Sequence, residues 1–215
     1  MLSTINYKIL YDNGQPLCFV GHSQMSRSSY DIIKNYRESE LCSLEDIESK
    51  DKNWYSGRQF IVILSDIEKK IHTINQLTQH HASFFSLVNQ FNTISPTTFI
   101  GRGTYIGGFN SFDVNSIKIG DHVIICTHNT LGHHCHIDDF CHLSHHSFFN
   151  QVRIGKGTVI GTQVLICPPR NSSIKIAEYC NITSNSRVTR DLLESGTYHS
   201  TRLISSKDSR IERIL

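Results

Sequence analysis

The chain has 215 residues, of which 38% are hydrophobic and 19% charged, with a formal net charge of +2 at pH 7. That apolar content suffices for a packed core and excludes a disordered chain, while the small charge and scattered basic residues exclude nucleic acid as the default partner. Seven cysteines, odd in number and without CxxC spacing, argue against a disulfide framework and for free thiols in a reducing compartment.

Taken in chain order, the N-terminus lacks a basic segment followed by an apolar run, so no export signal is expected. No apolar stretch approaches the roughly 20 residues of a membrane span. A cytoplasmic protein without membrane association is therefore expected. Leu17-Cys18-Phe19-Val20-Gly21 and Phe60-Ile61-Val62-Ile63-Leu64 read as buried strands. Each is followed by a helical pattern, Ser28 to Tyr36 and Ile67 to Gln79. Residues 1–93 thus form an α/β subdomain of Rossmann-like βαβ type, expected to bind substrate.

From residue 94 the period changes. Aliphatic residues stand six apart at Ile119, Ile125, Leu131, Ile137 and Leu143. The step recurs at Ile100 and Ile106, at Ile154, Ile160 and Ile166, and at Ile176, Ile182 and Val188. Six matches neither a helix nor a simple strand, but suits a short strand plus a turn repeated around a triangular coil. The groups are separated by thirteen, eleven and ten residues, which read as loops at coil corners. Four residues after each aliphatic comes a small residue facing the narrow interior, including Asn110, Asn129, Cys135, Cys141, Ser147 and Cys180; only Arg170, beside Pro168-Pro169, departs. Those cysteines are expected as inward fillers rather than catalytic thiols. Residues 94–195 are therefore a left-handed parallel β-helix, with a tail over 196–215 that ends as a short helix or disordered.

The stretch from His122 to His146 holds eight of the thirteen histidines. A neutral imidazole can take a proton from an attacking amine or hydroxyl near neutral pH. His133, two residues past the inward Leu131, falls on an outer corner open to substrate. For His128, His136, His145 and His146, stacking in a ladder on successive coils is the favoured explanation.

From Ser95 to Asp191 the sequence resembles the hexapeptide-repeat sugar acetyltransferases of the bacillosamine, perosamine and sialic-acid pathways. The likeness rests on Thr130-Leu131-Gly132-His133-His134-Cys135-His136-Ile137-Asp138-Asp139-Phe140-Cys141-His142-Leu143-Ser144. It continues through Val152-Arg153-Ile154-Gly155-Lys156-Gly157-Thr158-Val159-Ile160-Gly161 and closes on Val188-Thr189-Arg190-Asp191. The resemblance implies His133 as catalytic base and His142, nine residues on, as a contact of the acetyl-CoA thioester. It implies a homotrimer holding CoA between subunits, with Thr162 and the Thr183-Ser184 corner along the pantetheine arm and Lys156, Arg187, Arg190 and Arg202 as candidates for its phosphates. The acceptor would be an amino or hydroxyl group of a sugar or nucleotide-sugar.

Three positions depart from the family pattern. A carboxylate normally follows the catalytic histidine, whereas His134 stands there, so Asp138, Asp139 or another subunit must orient the base if any group does. The glycine-rich turn that cradles a nucleotide diphosphate is reduced to Gly21-His22-Ser23-Gln24-Met25-Ser26-Arg27, which weakens phosphate approach. The Gly-Asn-Pro-Ala ending is replaced by Tyr198-His199-Ser200-Thr201-Arg202. Two other readings use the same fold. One is a γ-type carbonic anhydrase, for which His128 and His133 have suitable spacing but no third histidine lies between His81 and His122. The other is a non-catalytic scaffold. On the acyltransferase reading no resident metal is expected.

Overall fold

A computed structural model describes residues 7–113 and 116–205 of the chain. The chain folds as two units, Met1–Gln90 with Arg102–Tyr105, and Phe91–Gly101 with Ile106–Leu215. Among the described residues no helix is long and apolar enough to cross a membrane.

The first unit contains β1 (Tyr7–Leu10), β2 (Leu17–Val20), α1 (Gln24–Ile33), β3 (Ser39–Cys42), α2 (Leu44–Glu48), α3 (Lys52–Ser56), β4 (Gln59–Val62), α4 (Ile67–Gln79), β5 (Ser83–Phe84) and β6 (Ser86–Asn89). Strands β3-β2-β4-β5 form one sheet in that order, parallel throughout. Every residue of β2 and β4 is buried, as the continuous apolar runs require when both sheet faces are covered. Helix α4 spans the residues read from sequence, burying Ile67, Ile74 and Leu77 on one stripe. Its N-cap Asp66 accepts from the Lys69 amide. Helix α1 begins earlier than expected, because Ser23 caps it by accepting from the Ser26 amide.

The second unit is a left-handed parallel β-helix whose short strands stack as three faces. The first face includes Ile124–Ile125, His142–Leu143, Val159–Ile160 and Asn181–Ile182; the second runs Thr93–Ile94, Ser111–Phe112, Thr130–Leu131, Phe148–Phe149, Leu165–Ile166 and Arg187–Val188. The third comprises Phe99–Ile100, Lys118–Ile119, His136–Ile137, Val152–Ile154 and Ile174–Ile176. Side chains alternate across each strand, so the second residue of each two-residue strand faces the interior. Ile119, Ile125, Leu131, Ile137 and Leu143 are buried, as are the small residues Cys135, Cys141, Cys180, Asn129 and Ser147.

Two of the supposed corner insertions are different in kind. Phe112, six past Ile106, and Phe149, six past Leu143, are inward residues in register with Leu131 and Ile166 respectively. The step continues through aromatics, so those breaks shift register by one residue. The tail also differs from expectation: Tyr198 is buried in a strand, Thr197–His199, stacked on Asn181–Ile182. Strand Arg202–Ser205 turns back antiparallel to it. The expected helix or disorder over 210–215 lies outside the described residues.

The corners explain much of the histidine density. His122, His128, His134, Phe140 and His146 all have φ between 54° and 62°, a left-handed conformation in which histidine is enriched among non-glycine residues. Four of these five rings stack between coils, His128 on His146 at 4.7 Å and on Phe109 at 5.1 Å, and His122 on Phe140 at 5.3 Å.

Candidate active site

His133 stands on the turn between the second and third faces, with half of its side chain exposed. Its backbone is held from the next coil, where the Gln151 amide donates to the His133 carbonyl at 2.8 Å. From the preceding coil, Asp113 places Oδ2 3.3 Å from His133 Nδ1. The Asp113 amide is in turn fixed by the Leu131 carbonyl at 2.9 Å. A carboxylate facing Nδ1 favours the tautomer with hydrogen on that atom, leaving Nε2 to accept a proton.

Asp113 is a candidate site residue that the sequence reading missed. Asp138, which with Asp139 or another subunit was a candidate for orienting the base, is engaged by Arg153, whose Nη2 lies 3.1 Å from its Oδ2 on the third face. His134 is the left-handed corner residue beside His133 and is exposed. The signal that finds Asp113 is coil register: Phe112 pairs with Leu131, which sets Asp113 level with Gly132 and next to His133.

Beside this pair lies a depression of about 480 Å³, lined by Thr93, Ser111, Asp113, Thr130, His133 and Phe148 among others. The outward residues of the second face form a graded ladder: Thr93, Ser111, Thr130, Phe148, Leu165 and Arg187. Three hydroxyls are followed by two apolar groups and then a cation.

The remaining candidates occupy other places. His142 is outward on the first face yet 7% exposed, with Nε2 3.7 Å from Cys126 Sγ. Burial pushes the Cys126 thiol up to about 11, so it is no ready nucleophile. The Thr162 amide donates to Ser184 Oγ at 3.0 Å, joining those residues on successive coils at the corner after the first face. Gly161 precedes them, and a Cβ there would meet the Ser184 amide at 2.5 Å, so only glycine permits this spacing. Lys156 lies 5.3 Å from the Phe140 ring centre, and Arg190 is exposed. Gly21, His22 and Ser23 belong to the first unit. There Gly21 has φ +120° and a Cβ would meet the Ile63 carbonyl at 2.8 Å, His22 is exposed, and Ser23 is spent on capping α1.

Two other histidines carry a pH signature. Burial, then Lys118 and Arg153, hold the His136 imidazole below its ordinary value; burial, then His146 and His128, do the same to His145. Because their folded values are depressed, the unfolded chain binds more protons, and stability is lost as pH falls through the ordinary imidazole value. Thermal melts between about pH 8 and about pH 5 should therefore show a falling midpoint, with a shallower fall for the His136→Gln/His145→Gln double variant. Equal slopes in both proteins would refute this account.

No protein-family model matches the chain, and no curated protein does. Solved structures do match. The acetyltransferase domain of PglB from Neisseria gonorrhoeae FA1090, in complex with acetyl coenzyme A, aligns with a TM-score of 0.73 at 15% identity over 89% of this chain and 100% of that one. A mutant of perosamine N-acetyltransferase from Caulobacter crescentus, in complex with CoA and GDP-perosamine, aligns with a TM-score of 0.74 at 16% identity over 86% and 93% of the two chains. WeeI from Acinetobacter baumannii AYE gives 0.70 at 12% identity over 84% and 94%. At these identities the likeness is one of fold: a small α/β unit followed by a left-handed β-helix, the architecture of hexapeptide-repeat sugar acetyltransferases.

Proposed function

We propose that the protein is an acyl-CoA-dependent acyltransferase that moves an acetyl group to an amino or hydroxyl group of a sugar or nucleotide-sugar. The observation that carries this reading is the His133–Asp113 pair at the rim of the second-face depression. It supplies an oriented, exposed imidazole beside an outer groove, which general-base catalysis requires.

On this reading the Asp113 carboxylate holds the Nδ1 hydrogen of His133, and Nε2 takes the proton from the attacking amine or hydroxyl. The substrate nucleophile forms its bond to the thioester carbonyl carbon, the carbon–sulfur bond breaks, and the imidazolium returns its proton to the departing thiolate. The ladder fits both substrates. Thr93, Ser111 and Thr130 offer hydroxyls to a sugar, while Phe148 and Leu165 suit the pantetheine arm and Arg187 its phosphates.

A homotrimer is part of the proposal. His133 stands at the corner between the second and third faces and His142 on the first, so a whole face separates them within one chain, the third along the chain and the second the other way round. A thioester touched by both histidines needs His142 from another copy, in a heterologous head-to-tail interface that closes as a ring. Thr162, Ser184, Lys156 and Arg190 would then flank CoA from the subunit that supplies His142. With its free thiols and acyl-CoA as donor, the enzyme would work in the cytoplasm.

The test is release of free CoA thiol from acetyl-CoA across a panel of amino-sugar nucleotides, amino sugars and simple sugars. Saturable release with at least one acceptor is expected. No release above hydrolysis with any acceptor, from protein that binds no CoA, would remove the proposal in favour of a non-catalytic scaffold.

A further inference from the structure

We infer that Cys18, Glu40 and Cys42 form a site for one thiophilic divalent cation of the zinc class in the N-terminal unit, independent of the acyltransferase reading. In the parallel pair β2–β3, Cys18 lies opposite Glu40 and Val20 opposite Cys42. Residues two apart on a strand share a face, so the three side chains project from the same side of the sheet. Their ligating atoms all fall within 4.8 Å of one another, the one such group found among the described residues. The two sulfurs are 2.9 Å apart; Cys18 is wholly buried and Cys42 is 3% exposed.

Register argues against a disulfide as the purpose of this pair. An offset of two residues along the strands, combined with the spacing between strands, separates the two Cα atoms by about 8 Å. A disulfide requires about 4.4 to 6.8 Å. The bridge could close only by moving a buried sheet. A cation between the sulfurs spans a wider gap, since zinc–sulfur bonds of about 2.3 Å in tetrahedral geometry place two sulfurs about 3.8 Å apart. Side-chain rotation alone can open the pair that far.

Charge and orientation also fit. Two thiolates, one carboxylate and a divalent cation sum to −1, and the Arg58 guanidinium, hydrogen-bonded to Glu40 through Nε, brings the sum to zero. A ligating carboxylate needs such a partner to hold its direction. Arg58 is itself fixed, its guanidinium carbon 4.6 Å from the Trp54 ring centre. Glu40 keeps 37% of its side chain exposed, which opens the edge of the site for ion entry and for water as a fourth ligand. The occupied site would clasp β2 to β3 below the Gly21 turn, whose amide donates to the Cys42 carbonyl at 3.0 Å. Since thiols must lose their protons to ligate, binding should release protons and tighten as pH rises.

The experiment titrates chelator-treated, reduced full-length protein with cobalt(II), then zinc. A thiolate-to-cobalt absorption band saturating at one equivalent and erased by zinc is expected. Cys18→Ser and Cys42→Ser should abolish the band, and Glu40→Gln should weaken affinity about 10- to 100-fold. Cys167→Ser, a half-buried thiol on the β-helix, should leave the band intact. Because serine at a buried position can prevent folding, Glu40→Gln at the solvent edge keeps the test decisive. The site is overturned by absence of the band, by unchanged cobalt affinity in Glu40→Gln, or by a Cys18–Cys42 disulfide found by mass in the untreated protein.

Discussion

Replacing His133 by alanine is expected to lower acyl-transfer turnover at least about 100-fold, the scale of a positioned general base, while leaving the thermal midpoint near that of the parent. The fold should tolerate the change because the side chain is half exposed and packs no interior layer. Asp113 is a positioning residue, and its expected signature is different. Asp113→Asn should lower turnover about 10-fold or more with little change in KM, since the ring is no longer held with its hydrogen on Nδ1. Asp113→Glu should recover part of the loss. A loss in Asp113→Asn that is matched by a fall in the thermal midpoint, or that Asp113→Glu does not relieve, would assign the carboxylate a purely structural part. If the site is shared between copies, inactive His133→Ala and His142→Ala proteins, dissociated and reassembled together in equal amounts, should regain activity at about a quarter of their sites. No recovery on mixing would place both histidines in one subunit's site or discard the role of His142.

The largest expected loss of stability falls at Asn129, in the interior of the β-helix. Its Oδ1 accepts from the Ser147 amide at 3.0 Å and its Nδ2 donates to the Ser144 carbonyl at 2.8 Å. Its own amide is bound by Asn110 Oδ1 at 2.8 Å, and Asn110 Nδ2 reaches the Gly107 and Cys126 carbonyls. Each asparagine thus splices one coil to the next where the chain turns and strand pairing is interrupted. With the residue 1% exposed, Asn129→Ala strands a buried amide and a buried carbonyl, at about 1 to 3 kcal/mol each, and leaves a small void besides. A loss of about 2 to 5 kcal/mol in denaturant unfolding is expected. A change below about 0.5 kcal/mol, the range of ordinary surface substitutions, would show that water or relaxation replaces the bonds.

The β-helix was legible because its interior is narrow: Ile119, Ile125, Leu131, Ile137 and Leu143 must recur at fixed intervals, and only small residues such as Cys135 and Cys141 fit between them. The step became hard to follow at Phe112 and Phe149, where an aromatic fills the inward place. Losing Phe112 also hid Asp113. A search along the chain favours Asp138, five residues from His133, whereas stacking makes residues nearly twenty apart into neighbours. In the first unit, β2, β4 and α4 were readable from continuous or periodic apolar residues. Strand β3 was not, because Ser39-Glu40-Leu41-Cys42 is short and only one of its four residues is buried. The sequence reading divided the histidines between a general base and stacking on successive coils, and the left-handed corners add a conformational reason for four of the eight, His122, His128, His134 and His146.

The strand Arg202–Ser205 reverses direction against Thr197–His199, and that reversal has a consequence for assembly. A parallel coil left bare at its last turn would offer a row of amides and carbonyls in the spacing another coil needs, inviting chains to add end to end. On the first face the antiparallel strand occupies those groups and presents an edge of opposite polarity, so an incoming coil cannot continue that sheet in parallel register.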